Sequence, residues 1–178
     1  SDGIRLLKGS HHFDADDKEG IDPHVWNSVA NARVIIRNMF DALVEIDAKN
    51  RDYYMANYVR FDKELKQFGD SLARELAPIK GEAFVVWHPS LSYFARDYGL
   101  KQISVEYDGK EAPAKFIEQR TRMAKSQNAR VFLLQKGFDA RQAESVNAEL
   151  GLKIVDINPL NLDWKGEMKH IADALVQQ

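Results

Sequence analysis

The sequence contains no cysteine, and this absence excludes several kinds of chemistry together. A chain without thiols has no disulfide, no thiolate metal site, no iron–sulfur cluster and no cysteine nucleophile. Basic residues are not in excess either, because 25 Lys and Arg stand against 27 Asp and Glu. The resulting net charge of −2 gives no electrostatic reason to expect a nucleic acid partner. No apolar run approaches the roughly 18 residues of a membrane-spanning helix.

Motifs for nucleotides and for covalent hydrolysis are missing as well. The sequence has no Gly-x-Gly-x-x-Gly, no Gly-x-x-x-x-Gly-Lys-Ser/Thr phosphate loop and no Gly-x-Ser-x-Gly nucleophile elbow. Ser90 and Ser92 lie near His88, but residues two apart in one turn do not form a catalytic triad. What is present is 178 residues, of which 44% are hydrophobic and 29% charged, as is typical of one globular domain or of a large lobe of a bigger protein.

The first half of the chain carries two helical patterns. Apolar residues recur at steps of three and four, which predicts helices over 28–47 and 51–77, each with one buried face. The positions that define these faces are Val29, Ala32, Ile36, Met39, Leu43 and Ile46 in the first helix, and Tyr54, Tyr58, Phe61, Leu65, Phe68, Leu72 and Leu76 in the second. Pro78 is expected to end the second helix.

The second half alternates short apolar runs with helical patterns. Strands are predicted at about 83–87, 103–107, 131–135 and 153–157, with a helix after each one. Such alternation indicates an α/β fold in which a four-stranded parallel sheet is flanked by helices and preceded by the two long helices. The predicted parts are an irregular segment at 1–22, a helical part at 23–79 and an α/β lobe at 80–178. The acidic tract at 10–20 is expected to be a mobile loop.

Ligands of open parallel sheets bind at the carboxyl ends of the strands, and two places in this sequence meet that rule. His88 follows the first strand directly, as a metal ligand or as a histidine satisfied within a tight turn. Asn158 follows the fourth strand, with Asp156 two residues earlier. His24 precedes the first long helix, where the helix dipole favours the neutral imidazole that binds metals, although a histidine beside Trp26 can also be merely packed.

The other histidines are weaker candidates. His170 lies on the last predicted helix among charged neighbours, and a surface position is expected. His11 and His12 stand in the acidic tract, where they could hold a metal transiently or simply be solvated.

Four stretches of this sequence resemble the metal-binding solute-binding proteins of zinc and manganese ABC transporters, the zinc-uptake type especially. The resemblance rests on Asp-Pro-His-Val-Trp at 22–26, Trp-His-Pro-Ser-Leu-Ser-Tyr-Phe-Ala-Arg-Asp-Tyr-Gly-Leu at 87–100, Gly-Lys-Glu-Ala-Pro at 109–113 and Ile-Asn-Pro-Leu at 157–160. The family has two α/β lobes joined by a long helix. The resemblance therefore implies that this chain is the linking helix with the C-terminal lobe, as a processed or truncated product.

The resemblance also implies a ligand set. His24 and His88 match the family's ligand histidines, and the tract at 10–20 looks like a short version of the family's His- and acid-rich loop. Asn158 stands where the family has an aspartate, and a neutral amide is a poorer ligand for a divalent cation than a carboxylate. Asp156 or water could take that place instead.

These observations favour a binding protein that is not an enzyme, that captures Zn²⁺, with Mn²⁺ the less expected metal, and that passes it to an ABC transporter permease. The expected location is the bacterial periplasm or a lipid-anchored position outside the cytoplasm, with no nucleic acid partner and no membrane span. The alternatives are a metal-dependent hydrolase or nucleotide-binding doubly wound domain, and a structural or adhesive lobe without a metal. With two histidines and one uncertain donor, zinc binding by this chain alone is expected to be weak and completed by water.

Overall fold

The fold is known from a computed structural model, which describes residues 2–9, 20–107, 113–138 and 140–177. Two long helices come first, α1 (Val29–Ile46) and α2 (Arg51–Leu76), as the sequence predicted. Most of the tract at 10–20, with His11 and His12, lies outside the described residues. None of the described helices is both long and apolar enough to cross a membrane.

The rest of the chain alternates strands and helices. The elements in chain order are β1 (Ala83–Val86), α3 (Ser92–Tyr98), β2 (Lys101–Ser104), α4 (Ala114–Ser126), β3 (Val131–Gln135), α5 (Ala140–Asn147), β4 (Lys153–Ile157) and α6 (Trp164–Val176). All strand pairs are parallel, and the strands are ordered β2-β1-β3-β4. The four-stranded parallel α/β fold is thereby confirmed.

One predicted strand lies elsewhere than expected. The apolar run had placed the second strand at 103–107, whereas β2 begins at Lys101 and ends at Ser104. The prediction missed the start because β2 is an edge strand, whose first two residues, Lys101 and Gln102, are polar and not buried. Beyond Ser104 the chain still runs beside β1, since the amide of Glu106 donates to the carbonyl of Trp87 at 3.1 Å.

The hydrophobic core has two parts, one on each face of the sheet. One face is covered by the first turn of α1, the second half of α2, α3 and α6, with Leu72, Phe94 and Ile171 fully buried. The other face is covered by α4 and α5, and Val85 and Phe132 are buried there. The strands β1 and β3, in the centre of the sheet, are buried along their whole length.

The long helices are buried along only part of the predicted faces. Met39, Leu43, Ile46 and Phe61 are 59%, 39%, 80% and 39% exposed, so the expectation of a continuously buried stripe is wrong there. The α1–α2 hairpin is longer than the sheet it packs on, and its outer half extends past the core. Within that half, Phe40 is buried and stacks on the ring of Tyr58 at 5.2 Å.

Candidate metal centre

The parallel strands bring several polar residues to one edge of the sheet. His88 lies two residues beyond β1, Glu106 two residues beyond β2 and Asn158 directly after β4, while Gln135 is the last residue of β3. The segment before α1 carries His24 to the same edge. This is the edge where parallel α/β folds bind their ligands.

The two histidines predicted from the sequence meet at this edge. The Nε2 atoms of His24 and His88 are 3.2 Å apart, and the ring planes are inclined at 81°. Two nitrogen ligands at about 2.0–2.1 Å from a tetrahedral zinc ion lie about 3.3 Å from each other. The spacing of the two Nε2 atoms is therefore that of a pair of zinc ligands.

Each histidine is held by a carboxylate on its other nitrogen. Asp22 contacts the Nδ1 of His24 at 2.8 Å and also accepts the backbone N–H of His24 at 2.9 Å. Glu106 contacts the Nδ1 of His88. The two carboxylates are almost removed from solvent, with 3% of the Asp22 side chain and 8% of the Glu106 side chain exposed.

These contacts determine which nitrogen of each ring is available. When the Nδ1–H donates to the carboxylate, the proton is absent from Nε2, and the Nε2 lone pairs of His24 and His88 face each other. Two facing lone pairs do not form a hydrogen bond, whereas a cation between them is stabilised by both. Carboxylate partners of this kind orient ligand histidines in metal sites and make them stronger donors.

Asp22 keeps its negative charge because of the same contacts. Burial by itself would raise the pKa of Asp22, but hydrogen bonds from the ring and backbone of His24 and from Ser92 outweigh it. The pKa of Asp22 therefore lies below its ordinary value. A carboxylate that stays ionised continues to accept the Nδ1–H of His24.

The histidine pair borders an open cavity of about 260 Å³. Asn158 lines this cavity, together with Trp26, Ser90, Gln135, Phe138 and Leu160. The ring of Phe138 stacks on that of His88, with the centroids 5.6 Å apart and an angle of 17° between planes. The rings of Trp26 and His24 make an edge-to-face contact, with centroids 5.3 Å apart and planes inclined at 65°.

Two other candidates from the sequence lie away from the pair. Asp156 does not line the cavity: it is exposed on the edge strand β4, and its carbonyl accepts a hydrogen bond from the Nε2 of His170 at 2.9 Å. The exposed position expected for His170 is confirmed. Within the described part of the chain, no group of three or more His, Asp or Glu side chains is arranged to hold a metal.

Sequence reasoning missed Glu106, which was placed inside a predicted strand and given no role. It also gave no role of its own to Asp22, which entered only as the first residue of the Asp-Pro-His-Val-Trp stretch. A carboxylate two residues before His24 was a usable signal, since an Asp side chain commonly contacts groups two residues further on. Glu106 offered no such signal, because its contact with His88 spans 18 residues.

Comparisons with known proteins agree with this geometry. A family model described as "Zinc-uptake complex component A periplasmic" matches residues 1–178. The zinc-binding protein AdcA of Streptococcus pyogenes serotype M18 is 29% identical over 170 residues, which are 94% of this chain and 33% of that protein. The high-affinity zinc uptake system protein ZnuA of Bacillus subtilis strain 168 is 28% identical over 171 residues, which are 90% of this chain and 53% of that protein.

A solved structure is similar along almost the whole chain. The crystal structure of a ZnuA has a TM-score of 0.88 and 32% identity, covering 99% of this chain and 66% of that one. The chain thus spans between a third and two thirds of the length of these relatives. A hydrolase or a nucleotide-binding domain is not favoured, because the matching family consists of zinc-uptake components and not of enzymes. The chain belongs to the family of periplasmic component A proteins of zinc-uptake complexes.

Proposed function

We propose that this chain captures Zn²⁺ outside the cytoplasm and delivers it to the permease of an ABC transporter. The observation that carries the proposal is the approach of the Nε2 atoms of His24 and His88 to 3.2 Å, with both Nδ1 atoms turned to buried carboxylates. His24 and His88 are the ligands in this proposal, and Asp22 and Glu106 hold them in the form that binds metal.

The ligand chemistry supports zinc over manganese. Imidazole nitrogen suits zinc, whereas manganese prefers carboxylate, carbonyl and water oxygens. The carboxylates of Asp22 and Glu106 are engaged with the Nδ1 atoms, so they act on the metal through the histidines. We therefore expect Zn²⁺ to bind more tightly than Mn²⁺.

Asn158 is the proposed third donor. It lines the cavity beside the histidines, and its backbone N–H is fixed by Glu167 of α6 at 2.7 Å. An amide oxygen is a weaker ligand than a carboxylate, and a zinc ion usually takes four donors. Water from the open cavity would complete the coordination, which makes zinc binding by this chain weak and readily reversible.

Delivery requires that the metal can leave again, and the open site permits it. The family description, a component of a zinc-uptake complex, supports a membrane permease as the partner. The same description supports a location in the periplasm. The name of a relative from Streptococcus pneumoniae, zinc-binding lipoprotein AdcA, supports a lipid-anchored position outside the cytoplasm as the alternative. In this proposal the chain binds and releases an ion and catalyses no reaction.

Titration with zinc tests the proposal. Zinc affinity is measured by competition with a chromogenic chelator for the wild-type chain and for His24→Ala, His88→Ala, both together and His170→Ala. Each of the first two substitutions should remove most of the binding, while His170→Ala is the matched control and should change little. Zinc binding that survives loss of both His24 and His88 would contradict the proposal and point to His11 and His12.

A further inference from the structure

A buried glutamine holds the backbone of the turn that carries His88. The last hydrogen bond of the ladder between β1 and β3 is donated by the amide of Trp87 to the carbonyl of Leu133, at 3.1 Å. At the next residue, His88, the side chain of Gln135 pairs with the backbone in place of a backbone partner from β3. Its Oε1 accepts the N–H of His88 at 3.0 Å, and its Nε2 donates to the carbonyl of His88.

The same amide group reaches one step further along the turn. The Nε2 of Gln135 also donates to the Oγ of Ser90 at 3.0 Å, so both of its hydrogens are used. Gln135 is only 5% exposed, and it extends from β3, which lies in the centre of the sheet. The turn with His88 is therefore tied to the most rigid part of the fold by three hydrogen bonds from one side chain.

A second buried amide links this turn to the one that carries His24. The Nδ2 of Asn27 donates to the carbonyl of Ser90 at 2.9 Å, and the backbone N–H of Asn27 donates to the carbonyl of His24 at 3.1 Å. Asn27 is completely buried. Gln135, Ser90 and Asn27 thus form a continuous chain of hydrogen bonds from the backbone of His88 to the backbone of His24.

Stability alone does not explain this arrangement. The Oδ1 of Asn27 is buried without a hydrogen-bond partner among the described residues, and an unpaired buried acceptor weakens a fold. A pair of metal ligands, in contrast, depends on exact spacing, because an ion binds tightly only when its ligands are already at the correct distance. The hydrogen bonds of Gln135 and Asn27 have one effect in common, which is that they fix the backbone that carries the two histidines.

We propose that Gln135 is a positioning residue of the metal site, which with Asn27 keeps the two histidines at ligand spacing before the metal arrives. The inference rests on the proposed function. Gln135 does not need to touch the metal for this role, since it acts through the backbone of His88. Being uncharged, the two amides fix the histidines without adding charge to the site.

The test compares Gln135→Met with the wild-type chain and with Val146→Ala. Methionine keeps the length of the side chain but makes none of the three hydrogen bonds. Val146 lies on α5 and is 6% exposed in the core that α4 and α5 cover, so Val146→Ala destabilises the fold without touching the metal site. Zinc affinity is measured by chelator competition, and thermal unfolding without metal compares the stability of the chains.

We expect Gln135→Met to bind zinc about tenfold more weakly than the wild-type chain, as for other residues that support metal ligands. The visible spectrum of bound Co²⁺ should also weaken, because a displaced His88 leaves a coordination with more water. Val146→Ala should keep both the zinc affinity and the Co²⁺ spectrum. Should Gln135→Met fail to fold, Gln135→Asn keeps the amide but is too short to reach both partners, and the same loss is expected.

Two results would overturn the inference. One is unchanged zinc affinity in a folded Gln135→Met or Gln135→Asn chain, and the other is an equal loss of affinity in Val146→Ala. The His24→Ala and His88→Ala chains separate this failure from that of the proposed function. If they lose zinc while the Gln135 variants keep it, only the positioning role is wrong; if they keep zinc, the proposed function fails first.

Discussion

Replacing Glu106 by glutamine tests how much the buried carboxylate contributes to metal binding. Glu106→Gln keeps the size of the side chain and one acceptor oxygen, but removes the negative charge beside the Nδ1 of His88. The amide can also turn its NH₂ group towards Nδ1, and His88 then carries its proton on Nε2. In that tautomer His88 has no lone pair to offer a metal at the site.

The structure sets the expected magnitude. Only 8% of the Glu106 side chain is exposed, so solvent screens its interaction with His88 poorly. Supporting groups of this kind contribute about 10- to 100-fold in metal affinity, or about 1.4–2.7 kcal/mol. We expect a loss of about tenfold for Glu106→Gln, because glutamine can still accept the Nδ1–H in one orientation.

Zinc competition with a chelator measures this loss, and the other ring supplies a parallel case. Asp22→Asn should weaken zinc binding by a similar factor, since Asp22 contacts the Nδ1 of His24 in the same way. The control is Glu118→Gln, which removes an exposed carboxylate on α4 paired with Arg122. The role of the carboxylate would be refuted if Glu106→Gln bound zinc as tightly as the wild-type chain while the separate His88→Ala variant lost zinc binding.

Three further predictions concern stability and are checked by urea unfolding of the metal-free chain. Leu72→Ala should lower the free energy of unfolding by about 2–5 kcal/mol, because Leu72 is fully buried in the main core. Ser28→Ala should cost about 1–2 kcal/mol, since it removes the N-cap of α1 and a hydrogen bond to Asp97, and an unchanged midpoint would contradict this. Hydrogen bonds from Arg33 lower the pKa of Asp62. The ion pair of Arg33 and Asp62 therefore stabilises the fold above about pH 4, and this stabilisation is lost as the pH falls through the lowered pKa. Asp62→Asn should be less stable than wild type by about 0.5–1 kcal/mol at neutral pH, and this difference should vanish at the acidic end of the titration.

The order of helices and strands could be predicted from the sequence because each element carries its own local period. The buried runs of β1 and β3 are apolar at nearly every position, as expected for central parallel strands. What periodicity does not show is how far a helix reaches past the elements it packs on. Ile46 and Met39 continue the apolar pattern of α1, yet they lie beyond the sheet and are exposed.

Residues of the candidate site could be predicted where a residue's position along its own strand or helix was enough. His88 and Asn158 follow strands and His24 precedes a helix, so the rule for parallel sheets brings them together. Asp156 lies only two residues before Asn158, but β4 ends at Ile157, and the regular alternation of sides ends with it. A bend follows, in which the amide of Asn161 donates to the carbonyl of Asn158 at 2.8 Å.

The supporting residues of the site were not predictable for a different reason. Glu106 and Gln135 reach His88 across 18 and 47 residues, and neither residue type indicates such a contact. Asn27 links to Ser90 over 63 residues. These contacts exist only once the sheet has formed, so they follow from strand order and not from local pattern.

The outer strands of the sheet have a consequence for how the chain behaves in a crowded compartment. The outer strand of a sheet can recruit the extended backbone of another molecule, which is one way in which proteins begin to aggregate. Here β2 starts with Lys101, and β4 carries Lys153 and Asp156, all of them exposed. An incoming strand would have to bury these charges without partners, at a cost that discourages the encounter. The charged borders thus discourage edge-to-edge pairing of this sheet with other extended chains.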